Sequence, residues 1–229
     1  MIKLQNICKV FNQGRHNEKI AIKYVSLNID DGELVAVIGK SGAGKTTLIN
    51  IIGCLDAPTG GSYFLNGRDV TDLSANELAN VRHGELGFIN QSPFLINEIS
   101  VLENVLVPLM LEKCKHSLRI ERATQALCDV GMNEFINTNV SVLSGGEKQR
   151  VSIARALAHN PNVILADEPT GSLDEENASL IMEILKKINN EGKTVIIITH
   201  DLDIANTCDR IIELKYGEIK SDSKTSAEN

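Results

Sequence analysis

The sequence predicts an α/β fold, with a mainly parallel sheet wrapped by helices, an antiparallel β subdomain at the N-terminus and a helical subdomain inserted in the middle. Three observations carry this reading. Leu34–Ile38 and residues 163–166 are continuous apolar runs, the composition of strands covered on both faces. Segments of helical period alternate with such runs, as in parallel sheets. The middle third loses strand character and carries helix-opening spacings instead.

Near the N-terminus, Ile2 and Leu4, then Ile22, Val25, Leu27 and Ile29, alternate with polar residues on either side of a polar loop at 12–19. That pattern predicts early strands. After Leu34–Ile38 come glycine-rich residues and a helix pattern through Leu48, Ile49 and Ile52. Residues 62–66, with Gly67 behind them, predict another strand and turn. Ser74 with Glu77, and Ser100 with Glu103, match the capping box that opens a helix. Helical patterns then run to about Asn139, so the inserted subdomain spans about 92–142. Sheet character returns at 163–166 and 194–199, separated by a helix over about 174–190. Residues 1–220 form one unit, and the small polar tail at 221–229 is predicted to be disordered.

Composition narrows the function. Apolar residues make up 42% and charged residues 23%, ordinary for a globular chain. No apolar stretch approaches the ~20 residues that cross a bilayer, and the first residues lack the layout of a secretory signal. A cytoplasmic location is therefore expected, with any membrane role supplied by a partner. The net charge of −7 and the absence of Trp argue against a nucleic-acid partner. The five cysteines show no metal-binding spacing and are expected as reduced thiols packed in the core.

Gly39, Lys40, Ser41, Gly42, Ala43, Gly44, Lys45 and Thr46 satisfy G-x-x-x-x-G-K-[ST] between a strand and a helix, with Thr47 next on the helix. The glycines let backbone N–H groups turn toward phosphate oxygens, and the helix start adds partial positive charge. Lys45 can reach the β- and γ-phosphates, and the Thr46 hydroxyl can ligate Mg²⁺. A second site follows the 163–166 strand, where Asp167 suits water-mediated Mg²⁺ binding and Glu168 suits the base that polarises an attacking water. Carboxyl ends of parallel strands are where such sheets place ligands. These two elements specify a nucleoside-triphosphate hydrolase built on a P-loop NTPase core, without saying which kind.

Leu143-Ser144-Gly145-Gly146-Glu147-Lys148-Gln149-Arg150 closely resembles the signature of ATP-binding-cassette ATPases. Ser144 also suits an ordinary helix cap, and the two roles are compatible. The resemblance covers nearly the whole chain and implies ATP and Mg²⁺ as ligands. It also implies a homodimer in which Ser144, Gly145 and Gly146 grip the γ-phosphate held by the other copy. By the same resemblance Gln91 senses Mg²⁺, 172–174 forms a loop across the dimer, His200 contacts the γ-phosphate, and Phe11 stacks on adenine.

Asn50-Ile51-Ile52-Gly53-Cys54-Leu55-Asp56, Pro58-Thr59-Gly60-Gly61, Leu102-Glu103-Asn104-Val105 and Ala166-Asp167-Glu168-Pro169-Thr170-Gly171 look most like the ATPases of macrolide-exporter and lipoprotein-releasing systems. Because the chain ends soon after the cassette, a separate integral permease with a large periplasmic or extracellular domain is expected. A periplasmic adaptor and an outer-membrane channel are further partners in such systems. The ATPase would then sit on the inner face of the cell membrane, with permease contact around 92–98. A regulatory ATPase that gates a cell-envelope permease without transport shares the same motifs. A soluble ATPase of DNA repair or translation fits less well, since the chain lacks long insertions. Asn90, Pro93 and Glu147-Lys148 depart from the commoner residues of the family. The first two bear on which permease is bound, not on hydrolysis.

Overall fold

Alternate residues of the central strands serve two separate cores, and this shapes everything around them. Leu34 and Ala36, Ile164 and Ala166, and Val195 and Ile197 face one cluster. Val35 and Val37, Val163 and Leu165, and Ile196 and Ile198 face the other. Period-two geometry turns each uniformly apolar strand into two buried faces. At roughly 1.5–3 kcal/mol per buried aliphatic side chain, this double burial is the main stabilising term.

The structure is a computed structural model that describes residues 1–225. In chain order its elements are β1 (Ile2–Phe11), β2 (Lys19–Ile29), β3 (Leu34–Ile38), α1 (Lys45–Ile52), β4 (Gly60–Leu65), β5 (Arg68–Asp69) and α2 (Ala75–Glu85). Then come β6 (Leu86–Asn90), α3 (Val101–Leu109), α4 (His116–Asp129), α5 (Gly145–Leu157), β7 (Val163–Asp167) and α6 (Glu175–Asn190). The chain finishes with β8 (Thr194–Ile198), α7 (Leu202–Asn206), β9 (Arg210–Lys215) and β10 (Glu218–Lys224).

One sheet is antiparallel, in the order β2-β1-β4-β5, and forms the expected N-terminal subdomain. The other runs β10-β9-β3-β8-β7-β6. Its five strands from β9 to β6 are parallel, and β10 pairs antiparallel at one edge. The fold is thus the predicted α/β type. α3, α4 and α5 lie between β6 and β7 in sequence and share the core that covers one sheet face.

Both predicted capping boxes form, at Ser74–Glu77 and Ser100–Glu103, and a third closes at Ser144–Glu147. Two expectations need correcting. Residues 221–224 are not a disordered tail: they belong to β10, held by its ladder with β9 and by Arg210, whose Nε and Nη2 donate to Asp222 at 2.7 and 2.8 Å. Local polarity concealed this, because an edge strand can be polar on both faces when its backbone is paired. The remainder of that predicted tail, 226–229, lies outside the described residues. The thiols also divide. Cys54 and Cys208 are buried, which pushes each up to about 11, whereas Cys128 on α4 is exposed.

Candidate active site

The strand order brings four separate segments to one edge. Residues 39–46 leave the carboxyl end of β3, His200 follows β8, Asp167 and Glu168 close β7, and Gln91 follows β6. These strands are neighbours in the sheet, so residues more than a hundred positions apart share one face.

The loop is shaped by close backbone approach. A Cβ at Gly39 (φ 153°) would lie 2.3 Å from the Leu214 carbonyl oxygen, and one at Gly44 (φ 105°) would lie 2.6 Å from that of Ala21. Only glycine fits such positions. The turn between β9 and β10 supports the loop from behind, with the Gly217 N–H donating to the Ala43 carbonyl at 3.0 Å. Lys45 opens α1, and its Nζ donates to the carbonyl oxygens of Gly39 at 2.6 Å and Lys40 at 3.4 Å. The ammonium therefore lies over the loop it is expected to serve. Phe11, 38% exposed, lines a cleft of about 200 Å³ with Lys19, Ala21 and residues 41–47.

Asp167 is half-buried. Burial raises its carboxyl above the ordinary aspartate range, the Glu168 charge adds to the rise, and Lys45 opposes it. Glu168 holds a left-handed backbone (φ 48°), uncommon for a residue with a side chain, while its N–H donates to the Ile198 carbonyl at 2.9 Å. Its Oε1 lies 2.7 Å from Nδ1 of His200. A Cβ on Gly171 would meet Gln91 Nε2 at 2.9 Å, so Gln91 packs beside the chain that leaves the acid pair.

Residues 144–146 stand apart from this cluster, and among the described residues no hydrogen bond joins them to 39–46. They start α5 instead. The Ser144 hydroxyl donates to Glu147 Oε2 at 2.7 Å. A Cβ on Gly146 would fall 2.1 Å from Asn177 Oδ1, so α5 begins directly against α6.

Sequence reasoning missed three residues that build these relationships. Asn177 at the start of α6 lies three positions after its cap, Asp174, a capping signal that was legible. Gln149 is 1% exposed and donates to the Asn90 carbonyl at 3.0 Å. Arg155 forks onto the carbonyls of Pro93 and Phe94. A polar residue on the apolar face of a helix signals such a tie, without naming its partner.

The donor chemistry of the site fits a nucleotide. The 39–46 cradle is one that a Cβ would fill at two positions. Among the described residues no group of three or more His, Cys, Asp or Glu side chains could hold a metal. Thr46, Gln91 and Asp167 would offer a hydroxyl, an amide and a carboxylate, oxygen chemistry of the kind Mg²⁺ takes.

A mainly parallel sheet whose carboxyl edge carries a lysine-bearing glycine loop, with an acid pair two strands further over, defines a P-loop ATPase. Residues 22–171 match the family described as ABC transporter. An uncharacterized ABC transporter ATP-binding protein of Methanocaldococcus jannaschii is 46% identical over 98% of this chain and 97% of its own length. The macrolide export ATP-binding/permease protein MacB of Bartonella quintana is 44% identical over 97% of this chain, which spans about a third (34%) of that relative. A solved dimeric ABC transporter cassette matches with a TM-score of 0.90 at 43% identity, over 100% of both chains. Another, a post-hydrolysis dimer bound to ADP and Pi, has a TM-score of 0.89 at 42% identity, again over 100% of both. The chain belongs to the ABC transporter family and is its ATP-binding, ATP-hydrolysing cassette.

Proposed function

We propose that this cassette works as a homodimer that powers a membrane permease, in a system exporting or extracting lipoprotein, peptide or drug. What carries the reading is the meeting of 39–46, Gln91, Asp167, Glu168 and His200 at one sheet edge, while Ser144, Gly145 and Gly146 lie elsewhere. A site split in this way is completed by a second copy. The dimeric cassettes among the similar structures support this. A related chain of Clostridium perfringens, part of the ABC transporter complex cbiONQ, has a TM-score of 0.89 at 30% identity over 98% of this chain and 88% of that one, and supports work within a transporter complex.

In this reading the N–H groups of 39–46, with Lys45, Thr46 and Thr47, hold the triphosphate, and Phe11 stacks on adenine. Thr46, Gln91 and Asp167 hold Mg²⁺, which would neutralise charge developing on the phosphates. Glu168 orients and polarises the attacking water, and His200 contacts the γ-phosphate and steadies the Glu168 carboxylate. Two copies close on two nucleotides and reopen after hydrolysis, a population shift driven by binding. Residues 1–220 act as one catalytic unit, with 92–142 as the arm that meets the permease around 92–98. Among the described residues no helix is long and apolar enough to cross a membrane. We place the cassette in the cytoplasm, peripheral to the inner face of the cell membrane, beneath a permease with a large periplasmic or extracellular domain. A periplasmic adaptor and an outer-membrane channel would extend the path.

The test is Glu168→Gln. The variant is expected to bind ATP, to lose turnover by about 10²-fold or more and to accumulate as a nucleotide-bound dimer by light scattering. Rapid turnover by this variant, beside an inactive Lys45→Met, would refute the assignment.

A further inference from the structure

The segment after Gln91 has no regular structure until α3, yet its backbone is fastened at several points. Gln149 Nε2 donates to the Asn90 carbonyl at 3.0 Å. Arg155 donates from Nη2 to the Pro93 carbonyl at 2.7 Å and from Nη1 to that of Phe94 at 2.9 Å. The fully buried Asn104 accepts from the Ile96 N–H at 2.8 Å and donates to the Ile96 carbonyl at 3.0 Å.

Against this fixed backbone, the Phe94 ring is 72% exposed and its φ is 46°, unusual for a bulky residue. A solvated ring on a strained backbone is not held there by its own packing. It is held from α5, by a half-buried guanidinium hydrogen-bonded to two neutral carbonyls. Desolvating that charge is costly and does nothing for α5 itself. A planar guanidinium that donates from two nitrogens to two carbonyls does fix orientation, which a lysine cannot do.

α5 is 13 residues long and therefore roughly 20 Å from end to end. Its first residues are those assigned to the nucleotide of the second copy, and Arg155 stands near its far end. We propose that Arg155 is a positioning residue that makes residues 93–96 move with α5, so that closure of 144–146 on nucleotide is transmitted to the exposed Phe94. The inference rests on the split-site dimer proposed above. Gln149, six residues nearer the N-terminus, ties the start of the segment to the same rod.

Hydrogen–deuterium exchange on the full chain tests this in a Glu168→Gln background, with and without Mg-ATP. Nucleotide is expected to protect 144–148 and to change exchange at 93–98. Adding Arg155→Met should leave the dimer and the protection of 144–148 intact while abolishing most of the response at 93–98. Arg155→Lys, which keeps the charge without the fork, should give an intermediate response and decides the matter if the Met variant does not fold. An undiminished response at 93–98 in Arg155→Lys and Arg155→Met overturns the proposal, as does no response with Arg155 present. Failure of every variant to dimerise with Mg-ATP would instead refute the split-site reading beneath it.

Discussion

Glu168 Oε1 and His200 Nδ1 lie 2.7 Å apart, across the carboxyl ends of the adjacent strands β7 and β8. The pair is held by more than its own contact. The Glu168 N–H is bonded to the Ile198 carbonyl, so the acid is fixed at the last rung of the ladder, and His200 follows two residues beyond Ile198. His200 is largely solvent-exposed (side chain 72%), whereas the Glu168 side chain is mostly covered (18%). The imidazole thus reaches in from the open side to a carboxylate rooted in the sheet. His200→Ala is expected to lower kcat by about 10²-fold while the KM for ATP changes little. An unchanged kcat, measured by phosphate release, would remove His200 from the mechanism.

Asp167 carries a stability cost. Its carboxyl is held above the ordinary range chiefly by burial, so the folded chain keeps this proton at pH values where the unfolded chain has lost it. Stability therefore falls as pH rises from the ordinary aspartate range through the raised value, and the loss persists above it. Asp167→Asn is expected to raise the Tm of the nucleotide-free protein at neutral pH and to lose Mg-dependent stabilisation by ATP. A thermal scan showing a lower Tm without nucleotide would contradict this account.

Gly146 has no room for a methyl group, since Asn177 Oδ1 and Cγ occupy the space. Asn177 is itself held by Asp174, to whose two oxygens its Nδ2 donates at 3.0 and 2.8 Å. Gly146→Ala is expected to displace the start of α5, leaving ATP binding by the single chain intact and weakening ATP-driven dimerisation at least tenfold, or about 1.4 kcal/mol. Combining it with Asn177→Ala should recover part of that loss, because the two changes share one space. A double variant as impaired as the sum of the single ones would show that crowding is not the cause.

The local parts of this protein were legible before any coordinates. The strand–glycine loop–helix at 39–46, the acid pair at 167–168 and two capping boxes each depend on neighbours within a few positions. Local spacing encodes such features directly. Residues 221–224 show where that legibility stops. They are polar and small, and only pairing with β9 makes them a strand. Arg155 likewise looks like an ordinary helix residue until its partners, some sixty positions earlier, are brought against it.

By itself the sequence determined the local parts: a glycine loop bearing Lys45, an acid pair after a buried strand, and where helices begin. It left the order of the strands open, because 163–166 and 195–198 are both wholly apolar and carry nothing to say which lies beside β3. Tertiary structure decided that β8 stands between β3 and β7, which puts His200 against Glu168 and sets 144–146 apart on another helix. The physical reason is that strand pairing and helix docking are long-range choices among interchangeable apolar faces, settled only when all of them are buried together.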